Sequence, residues 1–467
     1  MPDERFEEHL LHPVGRGHAP AGSHAGAAGG AACGDLVTIS LTVAGDTVTD
    51  AGFDASGCGA AQAAGSAVVE LVRGAHVLDA ARVGTAAIAA ELGGLSVGKL
   101  HAADLASDAL HRALGAAVDA DGDTAPRPDR TLVAMSGGVD STVVALLCEQ
   151  AGDVAAVTLE LWRDPENDAE ASCCSASAVR SARAVAHRLG LPHFTLDLRD
   201  AFRTGVVEPW LAGHAEGLTP NPCVRCNGHV RLDAMLDFAD RVGAATLATG
   251  HYARQTEEGL LRAAADPAKD QTYMLAALSP ATLRRLRFPL GELTKPEVRA
   301  LAREHGLAVA DKPDSQDLCF LAGTGRERFL ARHGGMAERP GDVVDRTGTV
   351  LGRHDGHFRF TVGQRRGLGI HAPEPLYVLG TDARANTVTV GPREALAAAR
   401  VSLRGLRLHR DADAVDGVRL RYHSAATPCR LEGDVAVLEE TFSAPAPGQT
   451  AVLLAGDVVI GCATIGR

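Results

Sequence analysis

At 467 residues the chain is too long for one ordinary hydrophobic core, so two to four domains are expected. A hydrophobic content of 46% with 4% aromatics describes an Ala- and Gly-rich globular protein, and no long uncharged apolar run offers a membrane span. The net charge of −12 does not exclude an RNA partner: residues 1–129 carry 7 basic and 17 acidic residues, and the rest, with 39 and 41, is nearly neutral.

Residues 1–30, rich in Gly, Ala and His, read as a mobile lead-in. They begin acidic and lack an apolar signal core, so a cytoplasmic location is expected. From 36 to 53 apolar residues alternate (Val37, Ile39, Leu41, Val43) around a Gly45-Asp46 turn, which predicts antiparallel strands. Helical periodicity follows over 60–73, 76–92 and 100–118, and an acidic, Pro-containing stretch over 121–129 reads as a linker. Strand–helix alternation then begins: strands at 131–135, 154–161 and 193–196, helices at 141–150 and 176–189. That pattern implies a doubly wound α/β domain over 130–335. Beyond it, short alternating segments at 343–350, 359–362 and 377–379 predict a small β-rich domain over 336–398 and a β-barrel over 399–467.

Ser136-Gly-Gly-Val-Asp-Ser141 lies between the first of these strands and a helix. Glycines allow a tight turn with amides close to an anion, and the helix N-terminus adds donors and a favourable dipole. No Walker Lys-Ser/Thr is present. The string resembles the pyrophosphate loop of the N-type ATP pyrophosphatases, which cleave ATP between the α and β phosphates; the resemblance makes Asp140 a candidate Mg2+ ligand.

Ten cysteines in a chain of cytosolic character favour metal or redox chemistry over structural disulfides. Cys148, Cys429 and Cys462 read as core, and the adjacent Cys173 and Cys174 carry no expected role. Cys223 and Cys226 form a Cys-x-x-Cys pair with no second pair to close a structural zinc site. The segments 219–227 (TPNPCVRCN), 249–254 (TGHYAR), 269–273 (KDQTY), 314–320 (DSQDLCF) and 363–369 (GQRRGLG) resemble, in order, the signature stretches of the MnmA tRNA 2-thiouridylases. The resemblance covers about 131–467.

It implies an ATP-dependent thiolation of the tRNA wobble uridine, with Cys319 carrying a persulfide and Cys226 as its disulfide-forming partner. It also implies an ATP site of Ala134, Met135, Ser136, Gly137, Gly138, Val139, Asp140, Ser141, Leu159 and Gly250. The target base would meet Asn221, Pro222 and Cys223. His251, Lys269, Asp270, Gln271, Arg421, Tyr422 and Gln449 would contact tRNA. Many members of the family have Asp where this chain has Cys223. Cys223, Cys226 and Cys319 are therefore also candidate ligands of a 4Fe–4S cluster that binds hydrosulfide, and both sulfur routes stay open, with preference for the cluster.

Cys33-Gly-Asp35, Gly57-Cys58-Gly59 and Lys99-Leu-His101 resemble, in order and spacing, the IscU/NifU iron–sulfur scaffolds. The resemblance makes 1–120 an α+β scaffold-like domain with Cys33, Asp35, Cys58 and His101 as ligands for Zn2+ or a 2Fe–2S cluster. That family has a cysteine directly after the histidine; here it is Ala102. Without that thiol, autonomous cluster assembly is not expected, and a metal-free docking domain is the alternative. The partners implied are tRNA and a cysteine desulfurase or other sulfur donor, with no membrane and no DNA. The competing reading of the whole chain is an iron–sulfur carrier without thiolase activity, and a carrier has no use for a pyrophosphatase loop.

Overall fold

Residues 2–29, 34–164, 176–313 and 318–467 are described by the structure, a computed structural model. Cys33, the pair Cys173–Cys174 and the stretch 314–317 lie outside the described residues.

The alternation in 36–44 places Val37, Ile39, Leu41 and Val43 on one buried face. The strand Leu36–Ala44 pairs antiparallel with Thr47–Ser56 on one side and with His24–Gly29 on the other. Residues 2–29 are thus not a lead-in: Pro2–Leu11 is a helix and His24–Gly29 a sheet strand. The small residues that suggested mobility have a packing reason. A Cβ on Gly26 would sit 2.2 Å from Ala109 O, because the helix Leu100–Asp121 lies directly on that strand. The helix contributes a face of fully buried alanines, Ala102, Ala103, Ala106, Ala109, Ala113 and Ala117. The helix expected over 76–92 is two, Val77–Ala80 and Thr85–Glu91, broken near Gly84, where a Cβ would meet the His187 ring at 2.3 Å.

The expected linker over 121–129 is shorter than predicted. The preceding helix runs to Asp121, and the next strand, Arg127–Ala134, has already begun at Arg127. Pro128 cannot donate to the ladder, and the register shifts between Arg127 and Thr131. This strand is the middle of a five-stranded parallel sheet in the order 286–287, 244–248, 127–134, 153–160, 193–197. Chain order runs outward from 127–134 in one direction, then returns to its other side at 244–248. The C-terminal ends of 127–134 and 244–248 therefore form a topological switch point, where such sheets open a crevice.

Beyond it, Gly341–Val344, Val350–His354, Tyr377–Asp382 and Thr387–Gly391 make a four-stranded sheet. The strand expected at 359–362 is absent; a 3-10 turn, His357–Arg359, occupies its start. Six strands from Ala397–Leu408 to Val458–Ile465 close into a barrel, the first pairing with the last. Arg262, from the α/β domain, pairs with Val458 and joins that domain to the barrel.

The N-terminal and α/β domains share one hydrophobic core, and helix Leu100–Asp121 is their common wall. A Cβ on Gly115 would lie 2.1 Å from Thr195 O in the sheet's last strand. Arg183, 2% exposed, donates to Asp108 at 2.5 Å and Asp104 at 3.3 Å, and Arg112 donates to Glu160 at 2.6 Å. His111 spans the seam, its ring nitrogens 2.7 Å from His193 O and 3.1 Å from Val83 O. Burial pushes His187 down to about 4 and holds His193 well below its ordinary value, each further opposed by the Arg183 charge. A histidine held neutral when folded takes up a proton on unfolding once pH falls below its ordinary 6.5. Stability from these groups is therefore complete above about pH 6.5 and drains as pH falls toward about 4. Denaturation followed between pH 7.5 and 5 should show that loss, and His187→Gln should flatten the slope.

Candidate active site

The loop after the central strand is built to receive an anion. Gly137 has φ +69°, and a Cβ there would lie 2.7 Å from Ala178 O, so the tight turn requires glycine. Ser141 Oγ accepts from Ser136 N at 3.1 Å and donates within the turn, bonding toward Gly138 O at 3.3 Å with Ser136 Oγ 3.2 Å away. Helix Val139–Ala151 starts at the loop and directs its N-terminus into the crevice. Gly250, at the end of the neighbouring strand, leaves room for the loop: a Cβ would press on Ser141 N at 3.1 Å.

The cleft at this switch point is lined by Ala134, Met135, Ser136, Asp140, Ser141, Leu159 and Gly250, seven of the ten residues expected at an ATP site. Gly137, Gly138 and Val139 shape the turn without lining it, and Val139 is buried in the core beneath. Val157, Leu161, Arg231, Met235 and Thr249 complete the wall and were not predicted. Asp140, the candidate Mg2+ ligand, is held in place by two side chains from distant sequence. Lys295 Nζ donates to its two oxygens at 2.7 and 2.8 Å, and Tyr252 Oη adds a bond at 2.9 Å. Lys312 Nζ donates to Gly137 O at 2.9 Å, holding the loop from the far side. Lys295 and Lys312 come from distant sequence, and no local pattern announces them; Lys295 looks only like the first residue of a Thr294-capped helix.

Asn221 caps the short helix Pro222–Cys226, its Oδ1 accepting from Cys223 N at 3.0 Å and Val224 N at 3.3 Å, with Pro222 at the first position. A π-helical turn, Asn227–Arg231, continues this helix to Arg231, which lines the cleft. Five residues of helix span about 7 Å, so Cys226 is one continuous backbone segment from the nucleotide crevice. Cys226 is 8% exposed and belongs to the central core; Cys319 packs against that same core, and Cys223 is half-buried.

The barrel braces the segment before these cysteines. Gln449 Nε2 donates to Thr219 O at 2.5 Å, Thr219 N donates to Pro447 O at 2.8 Å, and Tyr273 Oη donates to Thr450 O at 2.8 Å. Burial pushes the Tyr273 phenol up to about 12. Tyr422 from the barrel stands close enough that burial, then the charges of Asp270 and Cys223, raise its phenol.

The residues expected at tRNA separate by position. Arg421 is exposed, stacked on the Phe442 ring at 5.7 Å. Lys269 is half-buried. Gln271 and His251 face the nucleotide cleft instead. Arg231 can only donate, so His251 Nε2 accepts from it at 3.2 Å, and Nδ1–H donates to Thr249 Oγ1 at 2.9 Å. Burial, reinforced by Arg231, takes His251 down to about 3, so it is neutral at pH 7. Asp270 is held inside the protein. Its carboxylate is 7% exposed and is taken by Thr272 Oγ1 at 2.8 Å, Ala264 N at 3.1 Å and Arg419 Nη1 at 2.7 Å. It ties the α/β domain to the barrel.

In the N-terminal domain three of the four predicted ligands converge. Asp35 Oδ2 lies 3.1 Å from Cys58 Sγ and 3.0 Å from His101 Nε2, and Asp35 Oδ1 accepts from Cys58 N at 2.7 Å. The donor atoms all lie within 4.8 Å of one another. Burial works against the Asp35 charge, but the bonds from the Cys58 thiol and amide and from His101 outweigh it and hold its pKa below the ordinary value. Cys58 caps helix Gly59–Val72, and Gly57 at φ +117° admits Asp35, whose Oδ1 would meet a Cβ at 2.0 Å. Ala102, in place of a thiol, is fully buried.

Comparison with known families agrees with this architecture. The NifU-like N-terminal domain model matches residues 3–118, the tRNA methyl transferase HUP domain model 129–323, the tRNA methyl transferase PRC-barrel model 327–392, and the aminomethyltransferase β-barrel model 410–465. A bifunctional NifU/MnmA protein of Rubrobacter xylanophilus is 45% identical over 99% of this chain and 98% of its own length. The tRNA-specific 2-thiouridylase MnmA of Salinispora tropica is 45% identical, covering 72% of this chain and 98% of its own. That of Rhodospirillum centenum is 44% identical over 73% of this chain and 92% of its own. The chain therefore belongs to the MnmA family, in its bifunctional form fused to a NifU-like domain.

Proposed function

We propose that this chain is an ATP-dependent tRNA-uridine 2-sulfurtransferase that acts on the wobble uridine. The observation that carries the reading is the single helical segment from Cys223 through Cys226 to Arg231, which joins a thiol pair to a pyrophosphatase-type cleft. A carbonyl oxygen is a poor leaving group, and transfer of AMP to it, with release of pyrophosphate, creates a good one. The 136–141 amides and hydroxyls would hold the phosphates, Lys295 would hold Asp140 in place beside them, and neutral His251 would shape the wall. Mg2+ would arrive with the nucleotide, with Asp140, held by Lys295, as its candidate protein ligand.

On the persulfide route the terminal sulfur of Cys319 attacks C2 and expels AMP. Cys226 thiolate then attacks Cys319 Sγ, forming the Cys226–Cys319 disulfide and leaving sulfur on the base. A dithiol reductant restores both thiols. The alternative is that Cys223, Cys226 and Cys319 would hold a 4Fe–4S cluster, which would supply hydrosulfide at its remaining iron. A cysteine desulfurase would supply sulfur on the first route, with the NifU-like domain as a metal- or cluster-holding module through Asp35, Cys58, His101 and Cys33.

Turnover with tRNA should release AMP and pyrophosphate. ADP and phosphate as products would contradict the loop assignment. Cys223→Ser separates the routes: loss of iron together with activity supports the cluster, and retained activity in iron-free protein supports the persulfide.

A further inference from the structure

The N-terminal helix Pro2–Leu11 carries a histidine whose burial its role as a surface helix does not explain. His9 is 2% exposed. Its Nδ1 lies 2.9 Å from Ser66 Oγ, and Ser66 Oγ also accepts from Val14 N at 2.8 Å. With Nδ1–H donating to the second lone pair of that oxygen, Nε2 keeps its own lone pair. Nε2 is buried and has no hydrogen-bond partner among the described residues. It points between two carboxylates, with Glu70 Oε2 at 3.7 Å and Glu91 Oε1 at 3.8 Å.

Those gaps are too long for hydrogen bonds. They suit three donors around one ion, with bonds of about 2.0–2.2 Å to each. The three donor atoms all lie within 4.8 Å of one another. Each comes from a different helix: His9 from Pro2–Leu11, Glu70 from Gly59–Val72 and Glu91 from the end of Thr85–Glu91. Ser66, one turn before Glu70, orients the imidazole as an outer-shell partner. Arg5 Nη2 pairs with the same Glu91 Oε1 at 3.0 Å and fixes the carboxylate beside His9, so that this oxygen would meet the ion through its second lone pair.

We infer that His9, Glu70 and Glu91 form a second metal site, for a divalent cation of the zinc class, separate from the Asp35–Cys58–His101 set. One neutral imidazole and two carboxylates present two negative charges with nitrogen and oxygen donors, which suits such an ion. Glu70 is about half exposed, which leaves a fourth position open to water. The site clasps the N-terminal helix over the start of the Cys58 helix. There Gln62 Nε2 donates to Leu10 O at 2.8 Å, and Leu10 Cδ1 would lie 3.0 Å from a Cβ on Gly59. Binding should therefore stiffen the element that carries Cys58 without touching its thiol.

The test uses the full chain, stripped of metal by chelation and titrated with Zn2+ and with Co2+ alone. The unsubstituted protein should bind one more equivalent than His9→Gln. The equivalent that differs should lack the sulfur-to-cobalt charge-transfer absorption of thiolate sites and should persist in Cys58→Ser. Glu70→Gln, at a half-exposed position, should lose the same equivalent and the thermal stabilisation that Zn2+ confers, and it carries the test if His9→Gln does not fold. Equal stoichiometry in the unsubstituted and substituted chains would overturn the assignment. So would loss of an equivalent that shows the thiolate band.

Discussion

Cys319→Ser and Cys226→Ser should each reduce 2-thiouridine formation on the order of 10⁴-fold or more, the scale seen when a covalent nucleophile is removed. A serine hydroxyl neither carries a persulfide nor closes a disulfide, so neither half of the transfer has a substitute. The nucleotide cleft is built from other residues, the 136–141 loop, Gly250 and Lys295–Asp140, so ATP and tRNA affinities should change by less than about threefold. Cys148→Ser is the contrast. Burial pushes that thiol up to about 11, so it is no thiolate at neutral pH, and the variant should keep its activity. The measurement is nucleoside analysis of digested tRNA alongside equilibrium binding. Wild-type rates in Cys319→Ser would remove the cysteine from the chemistry.

Arg183→Ala should cost about 3 kcal/mol of stability, the low end for breaking a buried ion pair. Arg183 and Asp108 are both almost wholly buried, and their bond crosses from the α/β domain to helix Leu100–Asp121. Removing the guanidinium strands the Asp108 carboxylate, which keeps, among the described residues, Arg112 at 3.4 Å. The double variant Arg183→Met/Asp108→Leu should recover most of the loss, because the uncompensated charge, not the pair itself, is what destabilises. Denaturant titration that follows both domains should show their transitions moving together. An unchanged midpoint in Arg183→Ala would mean that the domains are tethered without being docked. Since they share one core, a chain beginning near residue 127 should expose the surface at 193–197 that the His111 and Gly115 face of the helix covers, and aggregate.

What could be read from the sequence was what lies close together along the chain. The 136–141 loop, its strand and its helix are contiguous, so residue type and order announced them. The alternation at 36–43 and the closely spaced Gly57-Cys58-Gly59 were legible for the same reason. Features decided by distant packing were not. The Gly/Ala composition of 24–29 looks like a mobile arm until helix Leu100–Asp121 lies on it and only glycine fits at 26. Asp270 sits in the 269–273 motif, and nothing near it in the chain announces that Arg419, about 150 residues later, claims it for the barrel. His251 lies beside a glycine in a motif, and only the fold turns its ring toward Arg231 and the cleft. Lys295 is paired with Asp140 across 155 residues, and no spacing rule joins them.

The most direct test of the central claim is a single-turnover reaction of the purified full-length protein with unmodified tRNA, ATP and a sulfur source. AMP and 2-thiouridine should be quantified together. The two should form in equal amounts at the wobble position, and both should vanish in Ser136→Ala/Ser141→Ala, which dismantles the phosphate turn. AMP release with no 2-thiouridine, or 2-thiouridine formed without ATP, would contradict that claim.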